Sequence, residues 1–258
     1  MGLLALALGF CTAFWLATRE GWAGLSIEWP DRKFWAFGAL ATAAIFFFFG
    51  PFFGPCLIAT FYFQELGHVV TLRSFGVDAK IRAIPVFANP PKWDLHKLDQ
   101  GKEAYVALMG PAFTVPAVFL CLAIAALLLN SSPLMGNYLA GFAAVSATYG
   151  AFTLLPFWPL AGGRIIRAVS ETFWPILPFV LGGAALAVIL TLAAGFMSFT
   201  LGAIAFIGIR GLMALEHPTP HQSPMPKDAA WLLIGAYLVV TASLYRFGWP
   251  LIVLALGL

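Results

Sequence analysis

The sequence predicts an all-α membrane protein, a polytopic bundle of about eight helical segments with a small strand or hairpin on its cytoplasmic face. Three observations carry that reading. Of 258 residues 61% are hydrophobic and only 10% are charged, against roughly 45–50% and about 25% in soluble domains. Mean hydropathy is +0.91. The apolar stretches are separated by turn chemistry and by linkers that alternate between basic and uncharged. A soluble enzyme, a disordered chain and a nucleic-acid binder are excluded by the same composition. The net charge of +3 points to no polyanionic partner. The partners expected are the lipid bilayer and other membrane proteins.

Taken in order, the segments are 3–18, 34–49, 55–72, 104–129, 138–158, 176–194, 197–213 and 231–250. Leu3–Thr18 lacks a basic stretch before its apolar run and a small-residue cleavage site after it, so it reads as a retained membrane segment. Breaks fall at Gly50-Pro51, Gly54-Pro55, Asn130-Ser131-Ser132-Pro133 and His217-Pro218-Thr219-Pro220. Segments shorter than about 20 residues are expected to be tilted or half-buried. Cys11, Cys56 and Cys121 lie in apolar runs and read as packing residues. Gly182-Gly183 suits helix packing in lipid.

Lys and Arg accumulate on the cytoplasmic side. Linkers 19–33, 73–103, 164–175 and 210–230 hold three, six, two and two of them, thirteen of the chain's fourteen. Linkers 50–54, 130–137 and 195–196 hold none. The alternation fits eight crossings with both termini non-cytoplasmic. Residues 1–258 read as one membrane domain, with a core at 55–175 (55–72, 104–129 and 138–163), a cytoplasmic loop at 73–103, and flanking helices at 1–54 and 176–258.

Segment 73–103 is the long polar stretch. Its first part, Val77-Asp78-Ala79-Lys80-Ile81-Arg82-Ala83-Ile84, alternates apolar and polar residues as a half-buried strand does. A solvated loop is the alternative. Further on, Arg164 to Trp174 has helical apolar spacing with two Arg and reads as an interfacial amphipathic helix.

One acid is out of place. Glu65 sits in an apolar segment between Phe61-Tyr62-Phe63 and Val69-Val70. A carboxylate at that depth costs about 2.5–3.5 kcal/mol unless paired or neutralised, which makes it a functional-site hypothesis. Gln64 and His68 are four apart and share a helical face. The run Gln64-Glu65-Leu66-Gly67-His68 is one residue short of H-E-x-x-H, where two His hold zinc and the Glu is general base. On local pattern alone, a Glu–His hydrogen-bonded pair stapling helices is the favoured reading. His96, His217 and His221 read as loop residues.

A second stretch, Thr153-Leu154-Leu155-Pro156-Phe157-Trp158-Pro159-Leu160-Ala161-Gly162-Gly163-Arg164, stands about ninety residues on. With the first motif and Met109-Gly110-Pro111 between, it resembles the site-2 protease family of intramembrane zinc metalloproteases over roughly residues 55–175. The resemblance rests on Glu65, His68, Pro156, Leu160, Gly162, Gly163 and Arg164. It implies zinc as cofactor, a transmembrane segment as substrate and cleavage near the cytoplasmic face, as in regulated intramembrane proteolysis. It also implies Glu65 as catalytic base, metal ligands at positions 64, 68 and 161, and substrate positioning at Thr153. Substrate would add as a strand to the 77–84 stretch at Ile81 and Ala83.

The departures fall on the chemistry. Gln64 replaces a His ligand, Ala161 replaces an Asp ligand, and Thr153 replaces an Asn. A catalytic zinc keeps three protein ligands and a water, and His68 alone cannot hold it. The expectation is a site-2-protease-like fold that binds no zinc and hydrolyses no peptide as written. The alternatives are a pseudoprotease scaffold that binds membrane partners, and an unrelated transporter with a chance Glu-x-x-His. Transporters spread polar residues over several helices at mid-membrane, whereas here they gather in two motifs.

Overall fold

In a computed structural model of the chain, the described residues are 2–29, 32–83, 98–156, 160–174, 176–196, 225–256 and a few positions between 202 and 210. They form an all-α membrane bundle with one small sheet. In chain order the elements are α1 (Gly2–Thr18), a 3-10 turn (Arg19–Trp22), β1 (Ile27–Glu28), α2 (Arg32–Ser74), β2 (Ile81–Arg82), α3 (Gln100–Leu128), α4 (Pro133–Thr153), α5 (Ala161–Phe173), α6 (Leu177–Phe196) and α7 (Lys227–Leu256). Among the described residues, five helices are long and apolar enough to cross a membrane: Gly2–Trp22, Trp35–Ser74, Gln100–Leu128, Leu177–Gly195 and Lys227–Pro250. The predicted segment 197–213 falls largely outside the described residues, as do His96, His217 and His221.

The break predicted at 50–54 is narrower than the turn residues suggest. Only Gly50 leaves helical geometry, at φ 72° and ψ 176°. Pro51 follows it directly, and a proline is tolerated in the first turn of a helix because its missing N–H would have no partner there. The left-handed φ at Gly50 suits a residue without a Cβ. Residues on either side of Gly50 are therefore two helical stretches meeting at one redirected peptide.

The chain forms two compact units. The first comprises Met1–Asp94 and Met109–Gly150. Within it, α2 runs alongside α4: Phe52 packs on Tyr138 at 4.4 Å with the rings tilted, and Phe61 meets Tyr149 edge-on at 4.8 Å. Sequence number rises in the same sense along both helices at these contacts, so α2 and α4 are parallel. Between these aromatic pairs, the Thr60 and Ser146 hydroxyls share a 2.7 Å hydrogen bond with no exposure to solvent. Thr60→Val removes it. Its expected cost is about 0.6 kcal/mol and at most about 1.7, the range of interhelical hydrogen bonds in bundles of this kind, measurable by unfolding in micelles.

Helix α1 packs antiparallel on α3, with Phe10 against Phe119 and Phe14 against Phe113, both at 5.6 Å. The segment after α1 is fastened to the end of α2 by Arg73. Its guanidinium donates to the carbonyls of Gly21 (3.1 Å), Ala23 (2.6 Å) and Ala79 (3.3 Å). This arginine gathers the two connections that lead into the sheet.

The sheet has two strands, paired parallel with Ile27 opposite Ile81 and Glu28 opposite Arg82. The alternating 77–84 stretch thus does yield a strand, and among the described residues it pairs with β1. Its partner comes from upstream, and a parallel pair cannot be joined by a tight turn. The amides of Ile81 and Ala83 donate to Ser26 and Glu28 carbonyls, both at 3.0 Å.

The second unit comprises Leu95–Leu108 and Ala151–Leu258. In it, the Asp99 carboxylate accepts the Lys102 amide at 2.8 Å and caps the first turn of α3. Helix α5 buries Ile165, Ala168 and Val169, at helical spacing, while Arg167 and Glu171 pair at 2.7 Å one turn apart. Gln100 donates to the other oxygen of Glu171 at 2.5 Å. The amphipathic segment read at 164–174 is this helix. Phe173 packs on Trp231 of α7, and Tyr237 donates to the Leu154 carbonyl at 2.7 Å.

Candidate functional site

The C-terminal half of α2 carries the singled-out residues, and each finds a different neighbour. Gln64 and Glu65 are buried, at 7% and 5% exposure. His68, one turn on from Gln64, lies against α3 at Gly110. A Cβ on Gly110 would sit 2.3 Å from the imidazole Cε1 and Nε2. Gly67 meets the same helix: a Cβ there would lie 2.4 Å from the Met109 carbonyl oxygen and 2.9 Å from Phe113. The two helices cross with backbone almost touching, and the glycines permit it. The Met109-Gly110-Pro111 element is therefore the floor on which the His68 ring rests.

Glu65 points to the sheet. Arg82 Nε donates to Oε1 at 2.7 Å and Nη2 donates to Oε2 at 2.7 Å. This is the two-pronged match of a guanidinium to a carboxylate. The side chains are 18% and 6% exposed, so the pair is withdrawn from solvent. A second tie lies one turn earlier on α2, where the Tyr62 hydroxyl donates to the Ala83 carbonyl. The acid that the sequence left unpaired is neutralised by Arg82 of β2.

The Gln64 side chain has a buried Nε2 with no hydrogen-bond partner among the described residues. Ile81 and Ala83, expected as a docking edge, spend their amides on β1. Because strand groups alternate in direction, the positions that face away from the β1–β2 seam are Ile27 on one strand and Lys80 and Arg82 on the other. Proline at Ile81 or Ala83 would break the seam itself.

No protein-family model matches the chain, and no curated protein does. Among solved structures, the chain is similar to the Site-2 Protease from Methanocaldococcus jannaschii, with 17% identity, a TM-score of 0.45, and coverage of 79% of this chain and 96% of that one.

Thr153 and Ala161 belong to the second unit. Thr153 is the last residue of α4 and Ala161 the first of α5. The reason for the following glycine is steric. A Cβ on Gly162 would lie 2.1 Å from the Leu154 carbonyl oxygen and 2.5 Å from that of Leu155. The first turn of α5 thus sits on the backbone that leaves α4. Arg164, in the same turn, is largely buried. Burial pushes its guanidinium pKa down, and the Glu103 carboxylate opposes that.

These residues do not fit a catalytic zinc. Such a site needs three nitrogen, sulfur or carboxylate ligands and one open position. Gln64 offers a neutral amide, Ala161 offers no donor, and both oxygens of Glu65 are engaged by Arg82. Among the described residues, no group of three or more His, Cys, Asp or Glu side chains could hold a metal ion. The signal for Arg82 was present in the sequence as a basic residue on the polar face of a predicted half-buried strand. Nothing in the spacing named Glu65 as its target.

Proposed function

We propose that this chain is a non-hydrolytic membrane scaffold of the site-2 protease type, which captures a membrane-spanning segment of another protein and does not cleave it. The observation that carries the reading is the Arg82–Glu65 pair. A general base needs a free lone pair aimed at a water, and here both carboxylate oxygens accept from one guanidinium at 2.7 Å. With Gln64 and Ala161 at two ligand positions, nothing would lower the pKa of an attacking water toward neutrality. Capture remains chemically open. Ile27 is 56% exposed at the outer side of a short sheet, and an extended segment can add to such an edge through backbone hydrogen bonds.

The test uses the full chain in membranes with a single-span reporter and a photo-crosslinking residue at Ile27 or Lys80. The expected result is a crosslink to the reporter with no shortened product. Reporter cleavage above that of membranes lacking the chain overturns the non-hydrolytic part. A crosslink yield at Ile27 and Lys80 no higher than at Phe47, an exposed residue of α2, overturns capture at the sheet.

A further inference from the structure

The cysteines read from the sequence as packing residues, and all three are free thiols in this structure. We propose that two of them, Cys56 on α2 and Cys121 on α3, are a redox-active pair that closes to an intramolecular disulfide, with a lipid-soluble two-electron oxidant of the quinone class. The pair stands apart from the scaffold reading, since neither capture nor hydrolysis enters it.

Register places the two cysteines together. Gly67 of α2 lies against Met109 and Phe113 of α3, and Gly110 of α3 lies against His68. From that contact the helices run in opposite senses. Beyond Gly50, α2 heads toward Ser74 and the sheet. α3 heads away from the sheet: Phe113 meets Trp22, in the turn that leads into β1, and Phe119 meets Phe10, further back along α1. Cys56 stands eleven residues before Gly67, and Cys121 stands eleven residues after Gly110. Eleven residues rise about 16.5 Å and make about three full turns. Both cysteines therefore lie equally far from the glycine contact, each on the side of its helix that makes it. Their thiols are within electrostatic reach of one another.

Packing and access fix the chemistry. A disulfide needs Cα atoms about 4.4–6.8 Å apart, which neighbouring helices reach where small residues let their backbones meet. Gly67 and Gly110 set that spacing. The Cys56 thiol donates to the Phe52 carbonyl of its own helix at 3.3 Å. A thiol is a weak donor, so turning it toward α3 gives up little. Cys56 is 7% exposed and Cys121 is half-buried, and both sit in helices apolar enough to cross a membrane. A charged aqueous oxidant does not reach them there, whereas a quinone partitions into the same layer. On closure the two thiols give up two protons and two electrons, one S–S bond forms, and the quinone takes up both protons and both electrons as the quinol.

The test uses the full chain in membranes, with Cys11→Ser to remove the exposed third thiol. The probe is a fully substituted, short-tailed benzoquinone, which has no ring position open to thiol addition. Copper phenanthroline serves as a second oxidant. Thiols are counted with a maleimide after unfolding in detergent, and linked peptides are mapped by mass spectrometry. The expected result is that both thiols disappear together, that a peptide joins Cys56 to Cys121 within one chain, and that the unfolding midpoint rises until a reductant restores it. With Cys56→Ala or Cys121→Ala added, the remaining thiol should be consumed at least about tenfold more slowly, because its positioned partner is gone. Two intact thiols under both oxidants overturn the pair, as does an unchanged rate in the alanine variants or a link formed only between chains. Closure by copper phenanthroline alone overturns the quinone as oxidant. If an alanine variant does not fold, the peptide map of the Cys11→Ser chain decides.

Discussion

Replacing Arg82 with methionine should lower the stability of the folded chain by about 3–5 kcal/mol, the cost of removing one member of a buried ion pair. Methionine keeps much of the side chain's volume, so the loss reports charge more than packing. The physical reason is that Glu65 stays where it is. It would keep its buried place with neither oxygen met by a guanidinium. Glu65→Gln/Arg82→Met should recover most of the loss, because a neutral pair of similar shape costs far less to bury. The measurement is a double-mutant cycle, with unfolding followed in mixed micelles. Strong coupling between the two positions is expected. Additive single effects would show that the pair contributes nothing beyond its separate side chains. A cycle in which Arg82→Met alone is neutral would mean that Glu65 finds another partner. Loosening of β2 from α2 should accompany the loss of stability, since the Arg82–Glu65 pair is one of the ties between them.

Much of this arrangement could be read from residue order. Long apolar runs with turn residues between them give helices because, in lipid, only a helix or a closed barrel satisfies its own backbone. The alternation at 77–84 located β2, and the isolated acid at position 65 marked the site. Three features stayed out of reach, each for a physical reason. The partner of β2 is a strand of two residues, Ile27–Glu28, which is too short to show a period. The pairing of Glu65 with Arg82 depends on how 17 residues of chain fold back, and spacing does not encode that path. The glycines are the third case. Gly183 read from its type as a packing residue, yet a Cβ there would meet nothing within 4 Å. Gly67 sits inside the motif at a position whose residue type the pattern leaves open, although it is a point where α2 touches α3. A residue name gives the freedom of a glycine but not whether a neighbour makes use of it.

That contrast supports a second large effect. Gly67→Ala should cost about 3 kcal/mol, in the upper range for an added methyl in a packed interior. The new Cβ would lie 2.4 Å from the Met109 carbonyl oxygen and 2.9 Å from the Phe113 Cβ. The nearest obstacle is backbone, which cannot rotate away as a side chain would. Relief requires α2 and α3 to separate, and that withdraws His68 from Gly110 as well. Gly183→Ala and Gly235→Ala are the matched controls. Both lie inside helices, and a Cβ at either meets no atom within 4 Å. There alanine should be neutral or stabilising by about 0.5–1 kcal/mol, through helix propensity alone. Unfolding midpoints of the three variants in the same micelles test this directly. If Gly67→Ala proves as mild as the controls, the close crossing of α2 and α3 is wrong. The placement of His68 on Gly110 would then fall with it, since both depend on the same approach of the two backbones.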